Sequence, residues 1–378
     1  MRIFISAGEA SGDLYASKLV EAMPQAEFFG CAGARMQAAG VRAVVDSRSI
    51  AVVGLVEVIA HIPRIYGEFR KLKRAIVLEK PDVAVLVDSP DFNLRLAKFL
   101  RRQRVPVVYL VAPQAWAWRQ GRVKILRATV DRLLCIFPFE EEFFARHGVP
   151  TTYIGHPLAR IVKASLTREE FCSKFGIPAG KKIVVLLPGS RRGEIERHLD
   201  GLLEAKKRLG GRDLVFLLAL PGGFGNTFRE RIRRSAIQSK EDQVIEDATW
   251  DALAHAEMAL AASGTVTIEA ALLGCPLVTF YKVNALSWIL GRWLVRVPFL
   301  SMVNLVAGRK IAPELIQGEM TGERIAAEAI RLLDDETAMD AMRAGLKEVA
   351  AKLASERDPM EIAAEWVEKV VHEKVSRN

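Results

Sequence analysis

Five times along this chain a short apolar run breaks into polar residues of kinds that do chemistry. The run VAVLV is followed by Asp88-Ser89-Pro90-Asp91-Phe92-Asn93. A carboxylate at the mouth of a buried strand is costly unless it is paired or functional, which singles out Asp88. Asp91 follows a proline and precedes a stretch of helical periodicity, so it is expected to N-cap that helix. The two carboxylates could also ligate a cation, but the spacing supplies no third ligand. Near the N-terminus, RIFIS runs into Gly8-Glu9-Ala10-Ser11-Gly12-Asp13. Glycines at a helix start permit close approach of an anion or a sugar hydroxyl to free N–H groups, while an ordinary turn capped by Ser11 or Asp13 explains the same residues equally well. The spacing is not that of the dinucleotide fingerprint. The run VPVVYLV leads into Ala112-Pro113-Gln114-Ala115-Trp116-Ala117-Trp118-Arg119, with Arg122 and Lys124 beyond. Tryptophans beside cations suit sugar stacking, phosphate binding or a membrane boundary, and they equally suit anchoring of a loop in the core.

Two further segments point to phosphate. IVVLL ends in Pro188-Gly189-Ser190-Arg191-Arg192-Gly193-Glu194, which places glycine, a hydroxyl and guanidinium groups at a helix start. The Walker-type Gly-Lys-Ser/Thr is missing, which disfavours an ATPase. MALAA runs into Ser263-Gly264-Thr265-Val266-Thr267-Ile268-Glu269. Backbone N–H groups at that turn suit a diphosphate, and Glu269, one helical turn further in, is within reach of a ribose diol.

These segments need rigid supports. β-branched runs alternating with helical stretches predict parallel sheets covered by helices. Strands are expected at 2–6, 27–30, 83–88, 105–111 and 132–137, and then at 182–187, 214–219, 243–246, 258–262 and 276–281. Two doubly wound α/β domains facing across a cleft follow, 1–160 and 161–345, divided by a Gly/Pro-punctuated stretch near residue 160. Helical spacing from about 321 to 375 predicts three helices, with 346–378 as a tail packing across the domains. In open α/β sheets ligands bind beyond the carboxyl ends of the strands, where all five segments fall.

Composition narrows the partners. The 378 residues are 50% hydrophobic, enough for two buried cores. Without an apolar run of about 18 residues or a secretory h-region, the chain is expected in the cytoplasm. Cys31, Cys135, Cys172 and Cys275 show no metal-ligand spacing and are expected as buried thiols. A net charge of +9 favours anionic partners, but scattered cations and 7% aromatics argue against nucleic acid.

The strings GEASGD, VDSPDFN, APQAWAWR, FPFEEEFF, GHPL, LPGSRRGEI, SGTVTIEAALLGCP and MVNLVAGRKIAPELIQ stand in the order seen in lipid-A-disaccharide synthases, and the chain resembles that family from Ser6 to Gln317. The resemblance implies a GT-B fold and an inverting transfer of diacylglucosamine from UDP to the 6-hydroxyl of diacylglucosamine 1-phosphate. That would occur on the cytoplasmic face of the Gram-negative inner membrane, without a catalytic metal or other cofactor. It implies Asp88 as the base and Glu9 facing the sugars. Gly189, Ser190, Arg191, Ser263, Gly264 and Thr265 would hold the diphosphate and Glu269 the ribose, while Asn304 and Glu314 would contact the nucleotide or the diphosphate. Arg192 stands where a small residue is usual, which leaves open which arginine meets the diphosphate. A homodimer is a candidate assembly. The competing readings are another UDP-sugar enzyme of this fold, such as a peptidoglycan-precursor glycosyltransferase or an epimerase, and a non-catalytic nucleotide-binding membrane adaptor.

For the membrane contact the candidate is 50–74, where Val56, Val58, Ile59, Ile62 and Ile65 precede a basic cluster. Core packing against the sheet is the competing explanation for that face. A second candidate is 286–300, with Trp288 and Trp293.

Overall fold

The continuous apolar runs become strands buried on both faces, as parallel sheets require. The computed structural model describes residues 1–50, 55–237, 242–284, 288 and 297–375, and the side chains of these other than 55–62 and 375. Two units emerge, Met1–Pro157 with Leu353–Asn378, and Leu158–Lys352.

The first unit holds β1 (Arg2–Ala7), β2 (Glu27–Ala32), β3 (Arg42–Asp46), β4 (Val83–Val87), β5 (Val107–Leu110), β6 (Arg132–Cys135) and β7 (Thr151–Tyr153). They form a parallel sheet in the order β3-β2-β1-β4-β5-β6-β7. The strand order reverses between β1 and β4, so the crevice where such sheets bind ligands opens between GEASGD and DSPDFN. The second unit holds β8 (Lys182–Leu187), β9 (Leu214–Leu220), β10 (Gln243–Glu246), β11 (Met258–Ala262), β12 (Leu277–Tyr281) and β13 (Glu314–Ile316). Its parallel order is β10-β9-β8-β11-β12-β13, and the reversal between β8 and β11 lies between PGSRRGE and SGTVTIE. In each unit, two of the chemically suggestive segments thus flank the topological switch point.

Strand limits shift for local reasons. The strand expected at 83–88 stops at Val87 because Asp88 turns left-handed, with φ +48°. The one expected at 105–111 shrinks to Val107–Leu110, since Pro106 has no N–H to donate and Val111 is left-handed at φ +67°. The strands β3, β7 and β13 were not expected; each is short, edge-lying or partly exposed, and none carries a continuous apolar run.

The C-terminal region forms the three expected helices, Gly322–Asp334, Glu336–Leu353 and Pro359–Val375. The division between the units falls between Lys352 and Leu353, and the last helix belongs with the first unit. There it packs on helix Ala10–Ala22 and against β4, β5 and β6. The Arg132 guanidinium lies 3.8 Å from the Trp366 ring centre. Gly155, at φ +86°, has no room for a Cβ, which would lie 2.5 Å from the Ser355 hydroxyl. Cys31, Cys135 and Cys275 are buried thiols, while Cys172 is only partly covered.

Among the membrane-patch residues, Val56, Val58, Ile59 and Ile62 have side chains outside the described residues, as does Trp293 altogether. Ile65 is half-buried in helix Leu55–Glu79, and Leu72, Ala75 and Ile76 further along enter the core. No helix among the described residues is long and apolar enough to cross a membrane.

Candidate active site

In the first unit the switch point is built around a strained turn. Asp88 and Ser89 both adopt left-handed backbone, at φ +48° and +46°. Such residues cost about 1–2 kcal/mol each and persist where the surroundings over-determine them. Here the restraint acts on the Asp88 carbonyl, which accepts from the Tyr109 hydroxyl at 2.6 Å and from Asn93 Nδ2 at 2.9 Å. The Asp88 N–H donates to the Leu110 carbonyl at 3.0 Å. Burial pushes the Tyr109 phenol well above its ordinary range, so it remains a donor. Asn93, fully buried, also donates to the carbonyls of Val87 and Ser6 and accepts from Ser6 Oγ at 2.8 Å. It ties the ends of β1 and β4 together and leaves the half-buried Asp88 side chain at the crevice mouth.

The GEASGD loop interlocks with this turn. A Cβ on Gly8 would lie 2.6 Å from Ser89 Oγ, a buried hydroxyl that lacks a hydrogen-bond partner among the described residues. Glu9 is the exposed N-cap residue of helix Ala10–Ala22 and makes no side-chain cap. Neither Ser11 nor Asp13 caps that helix. Asp13 instead accepts the N–H groups of Arg35 (3.0 Å) and Met36 (3.2 Å), capping helix Ala34–Ala38, and Gly33 is needed because a Cβ there would sit 2.4 Å from the Asp13 carboxyl carbon.

Asp91 is likewise not the N-cap; that position is Ser89. Its carboxylate pairs with Arg119 at 2.9 Å and Arg122 at 2.8 Å, and both guanidinium groups lie near the face of Trp118, at 4.5 and 4.9 Å. The two tryptophans therefore diverge. Trp116 is a core anchor, donating from Nε1 to the buried Glu140 at 2.9 Å and meeting Phe139 edge-on. Burial pushes Glu140 up to about 8, against the pull of its bonds to Trp116 and to the Phe137 N–H. His156, packed against Phe137 and Tyr15, is driven down to about 3 by burial. Asn93, Tyr109 and Glu140 were not singled out from sequence; only Glu140 carries a local signal, the third helical position after Phe137-Pro138.

In the second unit the PGSRRGE loop folds over its own carboxylate. Gly189, at φ +124°, leaves room for Glu194, which a Cβ would meet at 2.8 Å. Glu194 Oε2 accepts the N–H groups of Ser190 (3.1 Å) and Arg191 (3.3 Å), while Oε1 accepts from the Tyr281 hydroxyl at 3.2 Å and lies 3.6 Å from the Arg191 guanidinium. An anion already sits on the donors expected to face phosphate. His198 straps the loop to β12: Nδ1 lies 2.7 Å from the Pro188 carbonyl, and Nε2 lies 3.1 Å from the Lys282 backbone N–H. Burial lowers its pKa, which keeps the ring neutral. Arg192 turns elsewhere, pairing with Glu196 at 3.1 Å and lying 5.2 Å from the Phe228 ring centre.

At the neighbouring strand end, Ser263 Oγ donates to the Leu300 carbonyl at 3.0 Å. Gly264 and Thr265 are exposed at the start of helix Thr265–Leu272, and a Cβ on Gly264 would meet open space. Glu269, half-buried one turn on, has its pKa raised by burial against the pull of a hydrogen bond with Trp250. Asn304 and Glu314 come together: Nδ2 donates to Glu314 Oε1 at 2.8 Å and to the Ala312 carbonyl, while Oδ1 accepts from the N–H groups of Ile311 and Ala312. Glu314 also accepts from Leu300 and Ser301 N–H, both at 2.9 Å. The fully buried Asn304 amide is thus bonded within the loop and shapes it. Among the described residues no three His, Cys, Asp or Glu side chains gather as a metal site.

This arrangement has known relatives. The family model described as Lipid-A-disaccharide synthetase matches residues 3–366. The lipid-A-disaccharide synthase of Solibacter usitatus is 59% identical over 360 residues, 93% of each chain. That of Geobacter metallireducens is 45% identical over 358 residues, covering 94% of this chain and 93% of its own. Among solved structures, the calicheamicin glycosyltransferase CalG4 superposes with TM-score 0.62 at 13% identity over 98% of both chains. UDP-GlcNAc 2-epimerase from Neisseria meningitidis, bound to UDP-GlcNAc, superposes with TM-score 0.61 at 13% identity over 100% of both. These superpositions establish the fold, two Rossmann-like domains of the GT-B type. The match along nearly the whole sequence establishes more: the chain belongs to the lipid-A-disaccharide synthase family of glycosyltransferases.

Proposed function

We propose that the chain transfers 2,3-diacylglucosamine from UDP-2,3-diacylglucosamine to the 6-hydroxyl of 2,3-diacylglucosamine 1-phosphate, forming the β-1,6-linked disaccharide 1-phosphate of lipid A biosynthesis and releasing UDP. The observation that carries this reading is the pairing of segments at each switch point, a carboxylate on a strained turn in one unit and convergent anion donors in the other. Inverting transfer passes through an oxocarbenium-like transition state and needs a base for the attacking hydroxyl. Asp88 is that base, and Glu9 faces the sugars. The departing diphosphate needs its developing charge met by donors, here the Arg191 guanidinium and the Ser190 hydroxyl beside Gly189, and the helix start at Ser263, Gly264 and Thr265. Glu269 holds the ribose. Asn304 acts through Glu314, setting the loop that borders the nucleotide. Arginine and backbone donors take the place of a divalent cation in this scheme.

The test is product identity. Supplied with both acylated sugars, the enzyme should yield the disaccharide 1-phosphate by mass spectrometry with one UDP per product, at a rate unchanged by EDTA. Epimerised donor without disaccharide would favour the epimerase reading, and UDP binding without any turnover the adaptor reading. Loss of rate in chelator would overturn the metal-free part alone.

We place the enzyme peripherally on the cytoplasmic side of the inner membrane, held through 50–74. Supporting this, Arg64, Arg70, Lys71 and Arg74 on helix Leu55–Glu79 are exposed, and Tyr66 is 62% exposed among them. Each basic residue near anionic lipid adds about 1 kcal/mol. Changing Val56, Ile59, Ile62 and Ile65 together to Ser should reduce flotation with anionic liposomes and raise the KM for the lipid acceptor, with UDP binding kept. Unfolding of that variant would identify the patch as core and move the contact towards Trp288 and Trp293.

A further inference from the structure

The cluster formed by Asp91, Arg119, Arg122 and Trp118 has no part in the roles assigned above. Arg119 Nη1 and Arg122 Nη2 converge on one and the same oxygen, Asp91 Oδ1, at 2.9 and 2.8 Å. Both guanidinium groups also lie near the Trp118 ring. Arg122 is buried, at 8% exposure, whereas the Asp91 side chain that compensates it is 71% exposed. Two cations against one carboxylate leave a net positive charge fixed at the surface, one member of it already desolvated. A buried cation is costly to maintain unless its charge is used. The convergence point is where an oxygen of a doubly charged anion would be received, and paired guanidinium groups match phosphate geometry better than carboxylate alone requires.

The placement is specific. The cluster joins the first turn of helix Pro90–Arg102 to the loop after β5, and that loop is bracketed by left-handed backbone at Val111 (φ +67°) and Arg119 (φ +54°). Val111 is β-branched, for which this conformation is a genuine outlier. Asp88 and this cluster share one turn: Asp88 directly precedes the N-cap Ser89, and Asp91 lies in the first turn of the helix that follows. An anion bound at the cluster therefore lies in the neighbourhood of the base.

We propose that Arg119 and Arg122, stacked on Trp118, form the subsite for the phosphate monoester of the acceptor sugar, with Asp91 occupying it in the absence of that phosphate. This inference rests on the function proposed above. It makes Arg119 a specificity residue: the phosphate orients the acceptor so that its far hydroxyl meets Asp88. The same phosphate chemistry is offered by a phospholipid headgroup, and the experiment separates the two sources.

Initial rates would be measured in detergent without phospholipid, using 2,3-diacylglucosamine 1-phosphate and its dephosphorylated counterpart as acceptors, with flotation on anionic vesicles in parallel. The wild type should prefer the phosphorylated acceptor in kcat/KM, and Arg119→Ala should cut that preference about ten- to a hundredfold through KM, the worth of a charge-assisted contact. Arg119→Lys should recover part of it. Arg119 is half-exposed, so its removal is compatible with folding. If both acceptors lose equally in Arg119→Ala, the cluster only pins the loop and the proposal fails. If vesicle flotation falls while the acceptor preference stays, the ligand is a headgroup and the proposal fails again. A wild type that glycosylates neither acceptor would overturn the function itself, a result distinct from both.

Discussion

Asp88→Asn is expected to lower turnover by about 10²- to 10⁴-fold while UDP affinity stays at the wild-type value. In barrier terms this is about 2.7–5.4 kcal/mol, the contribution of a positioned general base. The substitution is informative because of how the turn is held. Its left-handed backbone is fixed through the Asp88 carbonyl, by Tyr109 and Asn93, and through the N–H to Leu110, none of which involves the carboxylate. An isosteric amide therefore keeps these backbone contacts and removes the basicity. The expected nucleotide contacts lie in the other unit, which is why affinity and turnover should separate. Calorimetry with UDP and product formation at saturating substrates make the check. Near-normal turnover would remove Asp88 as the base, and a parallel loss of UDP affinity would show that the substitution disturbs more than proton transfer.

What was legible in the sequence follows physical lines. Strands buried on both faces leave a continuous apolar run, and Lys182–Leu187 and Met258–Ala262 form within the limits that the runs predict. Edge strands such as Thr151–Tyr153 bury too little to leave that mark. At the strand ends the chemistry-bearing segments were visible, but not their internal bonding. Capping is a local rule, so it assigned Asp13 and Asp91 to the helices they begin. Tertiary partners won instead: Asp13 reaches the N–H groups of Arg35 and Met36, and Asp91 reaches Arg119 and Arg122. Asn93 shows the same limit in reverse, since a polar residue in a first helical turn looks ordinary until the ends of β1 and β4 are seen to meet on it. Asn304 and Glu314 were named separately and prove to be one bonded unit. Spacing along the chain identifies which segments reach the crevice, whereas the division of their side chains between ligand and scaffold depends on contacts between elements distant in sequence.

Arg191→Ala should weaken UDP binding about ten- to a hundredfold and lower turnover further, because the guanidinium meets diphosphate charge in the ground state and more of it as the sugar departs. The resting structure adds a condition. Glu194 holds the N–H groups of Ser190 and Arg191 and lies 3.6 Å from the Arg191 guanidinium, so an arriving diphosphate meets a carboxylate already on these donors. The guanidinium is 52% exposed and carries several N–H donors, whereas each of the two backbone N–H groups has a single hydrogen and gives it to Glu194. The side chain of Arg191, more than the backbone of the loop, is therefore where affinity should be lost. Arg191→Lys should recover little, since a point charge lacks the planar fork. Arg192 provides the contrast. It is paired with Glu196 and lies near Phe228, so Arg192→Ala should shift UDP affinity by less than about twofold, within the range of a surface ion pair. Titration calorimetry on the two alanine variants decides between the adjacent arginines. Loss of affinity in Arg192→Ala but not in Arg191→Ala would transfer the diphosphate contact to the second arginine and require the helix Arg192–Leu209 to present its outer face to the nucleotide.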